Sequence, residues 1–96
     1  MPAYLVFDID ITDRNEFDKY VSLAKPTLAA FGAKILAIAD APDVLEGEWS
    51  PLRVVIIEFE SSEQARRWMR SPEYAKAKPV RHKSAKTNLV LVPGLT

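Results

Sequence analysis

The spacing of apolar residues along the chain predicts six elements in the order β-α-β-β-α-β. Segments rich in aliphatic and aromatic residues predict strands over 3–10, 34–39, 52–60 and 87–92. Between the first two strands, apolar side chains recur at the spacing of one helix face, at Phe17, Tyr20, Val21, Ala24, Leu28 and Phe31. A second helix has Ala65, Trp68 and Met69 on one face. This order is typical of the ferredoxin-like α+β fold, and we expect residues 1–96 to form one such domain.

Capping residues indicate where the helices begin and end. Asp13 followed by Glu16 resembles a capping box, and Gly32 stands where a glycine commonly ends a helix. A serine at 61 or 62 precedes the second helix. Ser71 before Pro72 predicts the start of a further short helix, because proline is well tolerated at the first helical position.

The predicted strands are apolar on both faces, which a half-solvated antiparallel sheet is not. In the third strand Val55 and Ile57 alternate with Val54 and Ile56. Two helices on one face leave the other bare, and several hundred Å² of apolar surface in water would forgo roughly ten kcal/mol. We therefore expect a homodimer that pairs sheet against sheet as a dimeric α/β barrel.

A monomer is the alternative, with the far face covered by the segment between the second and third strands. Residues 40–43 of that segment predict a loop or bulge. Val44–Glu46 predicts a return to the strand, and 47–51 predicts a turn.

Composition narrows the classes of partner. The 96 residues include 13 basic and 13 acidic side chains, so the chain lacks the net positive charge typical of proteins that bind nucleic acid or anionic membranes. No apolar run is long enough to span a bilayer. No cysteine is present, and no signal peptide precedes the first strand, so a cytoplasmic protein is expected.

Several short motifs together resemble the domain-of-unknown-function family 1330, over nearly the whole chain. They are the opening Ala3-Tyr4, Pro26, Gly32, Leu45-Glu46-Gly47-Glu48-Trp49, Glu58-Phe59, Ser71-Pro72-Glu73-Tyr74 and the closing Leu89-Val90-Leu91-Val92. The resemblance implies the ferredoxin-like fold and the dimer. The family has no settled activity, but its superfamily includes cofactor-independent monooxygenases, lactone isomerases, dehalogenating enzymes, haem-binding members and ligand binders.

Glu58 is the first candidate catalytic residue, because it lies among aliphatic residues of the third strand. If the first and third strands are the antiparallel central pair, Tyr4 and Asp8 lie on the same face as Glu58. Desolvation would raise the pKa of Glu58, which suits a general acid or base; the alternative is a rim glutamate paired with a lysine or arginine. We expect it in or beside a pocket between sheet and helices, with Arg81 and Tyr74 near the mouth.

The remaining candidates come from the basic stretch 76–86 and from three aromatic residues. Arg81 can bind a carboxylate or phosphate bidentately, and His82 is a candidate for proton transfer. A solvated basic surface is the alternative for both, and it is the more common situation. Tyr20 and Tyr74 can line a pocket or simply pack in the core. Trp49, in a turn, can cover a neighbouring protomer or close a pocket mouth.

No metal or cofactor is expected. Zinc needs several His or Cys ligands, and haem bound through His82 has only the superfamily in its favour. The sequence leaves two functions open: a cofactor-free enzyme for acid–base chemistry on a small organic acid or aromatic, and a non-catalytic ligand-binding or interaction dimer.

Overall fold

The computed structural model describes residues 1–95 as one four-stranded sheet with helices. The elements are β1 (Ala3–Ile11), α1 (Arg14–Ala30), β2 (Lys34–Asp40), β3 (Arg53–Phe59), α2 (Ser62–Met69), α3 (Pro72–Ala75), α4 (Lys78–Ser84) and β4 (Ala85–Pro93). The strand order is β2-β3-β1-β4, and every neighbouring pair is antiparallel. This is the predicted ferredoxin-like arrangement. None of the described helices combines the length and apolar character needed to cross a bilayer.

Strand register divides the sheet into two faces. Leu5 pairs with Ile57 and Phe7 with Val55, and this set packs against the helices in a closed core. Tyr4 pairs with Glu58 and Val6 with Ile56 on the other face, which carries no helix. We call these the helix face and the open face. The core of the protein lies entirely on the helix face, where Trp68 and Tyr74 are fully buried.

The predicted helix ends are confirmed by their hydrogen bonds. The Asp13 side chain accepts from the Glu16 N–H at 3.2 Å, and Ser61 caps α2. Ser71 accepts from the Tyr74 N–H at 3.1 Å, which starts α3. Gly32 follows α1 with a φ of +68°, a conformation in which glycine is favoured over other residues.

A β-bulge in β2 rearranges the side chains that face α1. The pairing with β3 shifts between Ile35 and Ala37, so Leu36 is an extra residue. As a result Ile35 and Ile38 both lie on the helix face, although they are three residues apart. Simple alternation from the sequence would place them on opposite faces.

The segment 41–52 is a loop that crosses the open face. The predicted strand at Val44–Glu46 does not form, because the chain turns away from the sheet at Ala41, whose φ is +49°. The Trp49 Nε1 donates to Asp8 Oδ2 at 3.2 Å, which fixes the loop over β1. A space of about 540 Å³ remains between the loop and the sheet, and Leu45 is 94% exposed, so the loop does not close the open face.

Candidate functional site

An apolar cavity of about 170 Å³ lies between α1 and the sheet. Its walls are aromatic or aliphatic: Phe7, Ile9, Phe17, Tyr20, Val21, Ala24, Leu28, Ile35, Ile38, Val55 and Ile57. The bulge in β2 supplies both Ile35 and Ile38. Such a cavity suits a small molecule with an apolar body.

Two cations, Lys25 and Arg53, complete the lining, and none of the described residues that line the cavity is acidic. Arg53 is held by Asp40, whose Oδ1 accepts from Nη1 at 2.7 Å. Its Nε is buried and has no hydrogen-bond partner within residues 1–95. The guanidinium nevertheless contributes a positive charge to the lining of the cavity, together with Lys25.

A chain of hydrogen bonds leads from the cavity wall into the core. Tyr20 is one of the residues that line the cavity, and its hydroxyl lies 3.0 Å from the Tyr74 hydroxyl. Arg81 Nη1 in turn donates to the Tyr74 hydroxyl at 3.0 Å. Arg81 is only 4% exposed, and its guanidinium lies 5.6 Å from the centre of the Phe7 ring. Burial, followed by the neighbouring Tyr20, raises the pKa of Tyr74 well above the usual phenol range, so Tyr74 stays neutral.

The structure separates the sequence-predicted site residues into two groups. Tyr20, Tyr74 and Arg81 are together on the helix face, whereas Glu58 and Tyr4 pair across the open face. The expectation that Glu58 lies between sheet and helices beside Arg81 and Tyr74 is therefore wrong. The reason is strand phase: Ile57 and Phe59 point into the core, so the intervening glutamate must point away from it.

Asp8 and Trp49 are also on the open face, joined by the hydrogen bond that anchors the loop. Glu58 is half-buried there, and within residues 1–95 it takes part in none of the ion pairs. The alternative of a rim glutamate paired to a lysine or arginine is thus not seen either, although Lys34 stands opposite Glu58 in the β2–β3 register.

Comparison with known proteins identifies the family. A family model described as "Domain of unknown function (DUF1330)" matches residues 2–95. The chain belongs to the DUF1330 family. This confirms the resemblance seen in the sequence motifs, and it does not assign an activity. No curated protein matches the chain.

Solved structures similar to this DUF1330 protein share its fold. A protein of unknown function from Rhodopseudomonas palustris has a TM-score of 0.80 at 18% identity, over 99% of this chain and 83% of its own. SnoaB, a cofactor-independent oxygenase from Streptomyces nogalater, has a TM-score of 0.68 at 11% identity, over 99% of this chain and 94% of its own. A dimeric protein of unknown function and ferredoxin-like fold from Bacteroides fragilis has a TM-score of 0.55 at 14% identity, over 97% of this chain and 96% of its own.

His82 lies on α4. It is exposed, its Nε2 is 3.4 Å from Arg81 Nη2, and it does not line the apolar cavity of the DUF1330 protein. A haem needs a deep apolar pocket at its axial ligand, so the residues around His82 do not fit one. Within residues 1–95, no three His, Cys, Asp or Glu side chains are grouped as metal ligands.

Arg53 and Lys25 were missed as site residues at the sequence level. Arg53 did carry a signal, because it is in phase with Val55 and Ile57 and so must lie on the core side of β3. A charged residue at such a position requires partners and often marks a site. Lys25 carried none: an exposed lysine on a helix is ordinary.

Proposed function

We propose that this DUF1330 protein binds a small organic acid with a ring-sized apolar body in the cavity between α1 and the sheet. The apolar walls would hold the ring, and Lys25 and Arg53 would hold the acid group. The observation that carries the proposal is an apolar cavity whose charged lining residues, within residues 1–95, are two cations and no carboxylate. A ligand carboxylate would pair with these cations through charge-assisted hydrogen bonds.

The size of the cavity limits the ligand. Apolar protein cavities of about 150 Å³ hold a benzene ring, and this one measures about 170 Å³. Benzoate and its relatives are therefore suitable probes. Because benzoate has only about nine non-hydrogen atoms, we expect it to bind with a dissociation constant on the order of 0.1–1 mM.

Filling the cavity should abolish this binding. Ala24 is 4% exposed and lines the cavity, so in Ala24→Leu the added methyl groups enter the space that the ring would use. We expect benzoate to bind at least about tenfold more weakly, while thermal stability stays the same or rises because a void is filled. Titration calorimetry or ligand-observed NMR measures the affinity.

The matched control is Ala29→Leu, the same substitution on the exposed side of α1. It should leave benzoate binding unchanged. Equal affinity of wild type and Ala24→Leu would show that the ligand sits elsewhere, and no binding of any ring-sized acid would refute the proposal.

An enzyme form of this proposal would use the same cavity. The oxygenase SnoaB shows that the fold hosts chemistry without a cofactor in one distant relative. Here the acid–base group would be the Tyr20 hydroxyl, because Glu58 lies behind the sheet and His82 outside the cavity.

We also propose that the protein is a homodimer, assembled through the open face. Val90 is 56% and Val92 43% exposed on this face, and Leu45 and Trp49 of the loop that crosses it are exposed as well. Monomeric proteins rarely leave so large an apolar area in water. A second copy related by a two-fold axis is the partner we favour, and the dimeric relative from Bacteroides fragilis supports it. An interaction dimer without catalysis is compatible with both proposals.

A further inference from the structure

The buried Arg81 is a cation without a carboxylate partner. Among residues 1–95 its guanidinium contacts the Tyr74 hydroxyl, the His82 ring and the Phe7 ring, and its Nε has no hydrogen-bond partner. Taking an unpaired guanidinium out of water is costly. The other basic residues of the stretch 76–86 avoid this cost, because their side chains are at least partly exposed. The position of Arg81 therefore calls for a role beyond packing.

The hydrogen-bond chain from Arg81 has a direction. Arginine can only donate, so the Tyr74 oxygen accepts from Nη1. Tyr74 is fully buried, and the Tyr20 oxygen is the one acceptor within reach of its own hydrogen among the described residues. If Tyr20 donated to Tyr74 instead, the Tyr74 hydrogen would be buried without a partner, which is costly. Tyr74 therefore donates to Tyr20.

Because Tyr74 donates to Tyr20, the hydroxyl hydrogen of Tyr20 remains free. Its oxygen already accepts from Tyr74, and no other hydrogen bond of Tyr20 is formed within residues 1–95. Tyr20 is 8% exposed and lines the cavity. Each bond in such a chain polarises the next, so a phenol at the end of a chain that begins at a guanidinium is a strengthened donor.

We propose that Tyr20 donates this hydrogen bond to an oxygen of the cavity ligand, and that the protein thereby selects acids with a hydroxyl or carbonyl oxygen remote from the acid group. The inference extends the proposed function, because it needs the cavity to be the binding site. Lys25 and Arg53 would hold the acid group, and Tyr20 the second oxygen. Tyr74 and Arg81 are positioning residues, which orient and polarise Tyr20 without touching the ligand.

The test compares 4-hydroxybenzoate with 4-methylbenzoate, which has nearly the same shape but no oxygen acceptor at that end. We expect the wild type to bind the hydroxy acid about tenfold more tightly, the gain of one good hydrogen bond. Tyr20→Phe should bind both acids equally, with the affinity for 4-methylbenzoate unchanged. Tyr74→Phe, which interrupts the chain but keeps the ring, should reduce the preference partway.

The ratio of the two affinities distinguishes a lost hydrogen bond to the ligand from structural damage, because a loosened cavity would weaken the binding of both acids to a similar extent. Equal binding of both acids by the wild type would overturn the role of Tyr20 while leaving the cavity as the site. The role of Tyr20 would also be overturned if Tyr20→Phe kept the full preference for 4-hydroxybenzoate. If Tyr20→Phe does not fold, a full preference kept by Tyr74→Phe would have the same meaning. Failure of both acids to bind would overturn the proposed function itself.

Discussion

Val90→Lys is expected to convert the proposed homodimer into a monomer. In the protomer Val90 is 56% exposed on the open face, so a lysine there costs little in folding an isolated chain. In a sheet-to-sheet dimer two lysines would enter the apolar layer, each at a cost of several kcal/mol. The mass measured by light scattering should therefore fall from about 22 kDa, twice the chain mass of 10.8 kDa, to about 11 kDa.

Leu23→Lys is the matched control for Val90→Lys. Leu23 is a comparably exposed apolar residue on α1, away from the open face, and its replacement should leave the mass at the dimer value. Ile56→Lys gives a second position on the same face, under the loop. Should Val90→Lys remain a dimer at micromolar concentration, the open face would not be the interface. A monomeric wild type would refute the dimer altogether.

Trp68→Ala is expected to cause the largest loss of folding stability. Trp68 is fully buried, its ring centre lies 3.9 Å from that of Tyr74 and 5.6 Å from that of Phe59, and its Nε1 donates to Thr27 Oγ1 at 2.8 Å. Truncation of such a residue leaves a large cavity and typically costs 3–5 kcal/mol, roughly a third or more of the stability of a small domain. Urea unfolding at one fixed protein concentration measures the change.

Arg67→Ala, one residue earlier on the exposed side of α2, is the control for Trp68→Ala. Because its ion pair with Glu63 is exposed, we expect Arg67→Ala to lower the free energy of unfolding by less than about 1 kcal/mol. A loss for Trp68→Ala no larger than that of Arg67→Ala would mean that the helices pack less closely on the sheet than described.

The strands and most helix ends were predictable because their signals are local. Asp13, Ser71 and Gly32 each act through hydrogen bonds or dihedral angles within one turn of the chain. Helix α4 was not predicted, since Ala77 at its start provides no side-chain cap. The helix packs against α1, which is a tertiary contact that no local signal reveals.

The site was only partly predictable for a similar reason. Phase along the first and third strands, taken as an antiparallel pair, placed Tyr4, Asp8 and Glu58 on a common face, and the register confirms this. Which of the two faces receives the helices, and so lies near Arg81, depends on the whole sheet. The bulge at Leu36, which brings Ile35 and Ile38 to the cavity, has no signal in a segment of uniformly apolar residues.

The central claim is that ligands bind on the helix face of the sheet, and neighbouring residues of β3 report on it directly. Val55 and Ile57 line the cavity, whereas Val54 and Ile56 face the loop on the other side. In methyl NMR spectra recorded during titration with benzoate, we expect the signals of Val55 and Ile57 to shift and those of Val54 and Ile56 to stay nearly constant. Shifts at Val54 and Ile56, with Val55 and Ile57 unmoved, would contradict the claim.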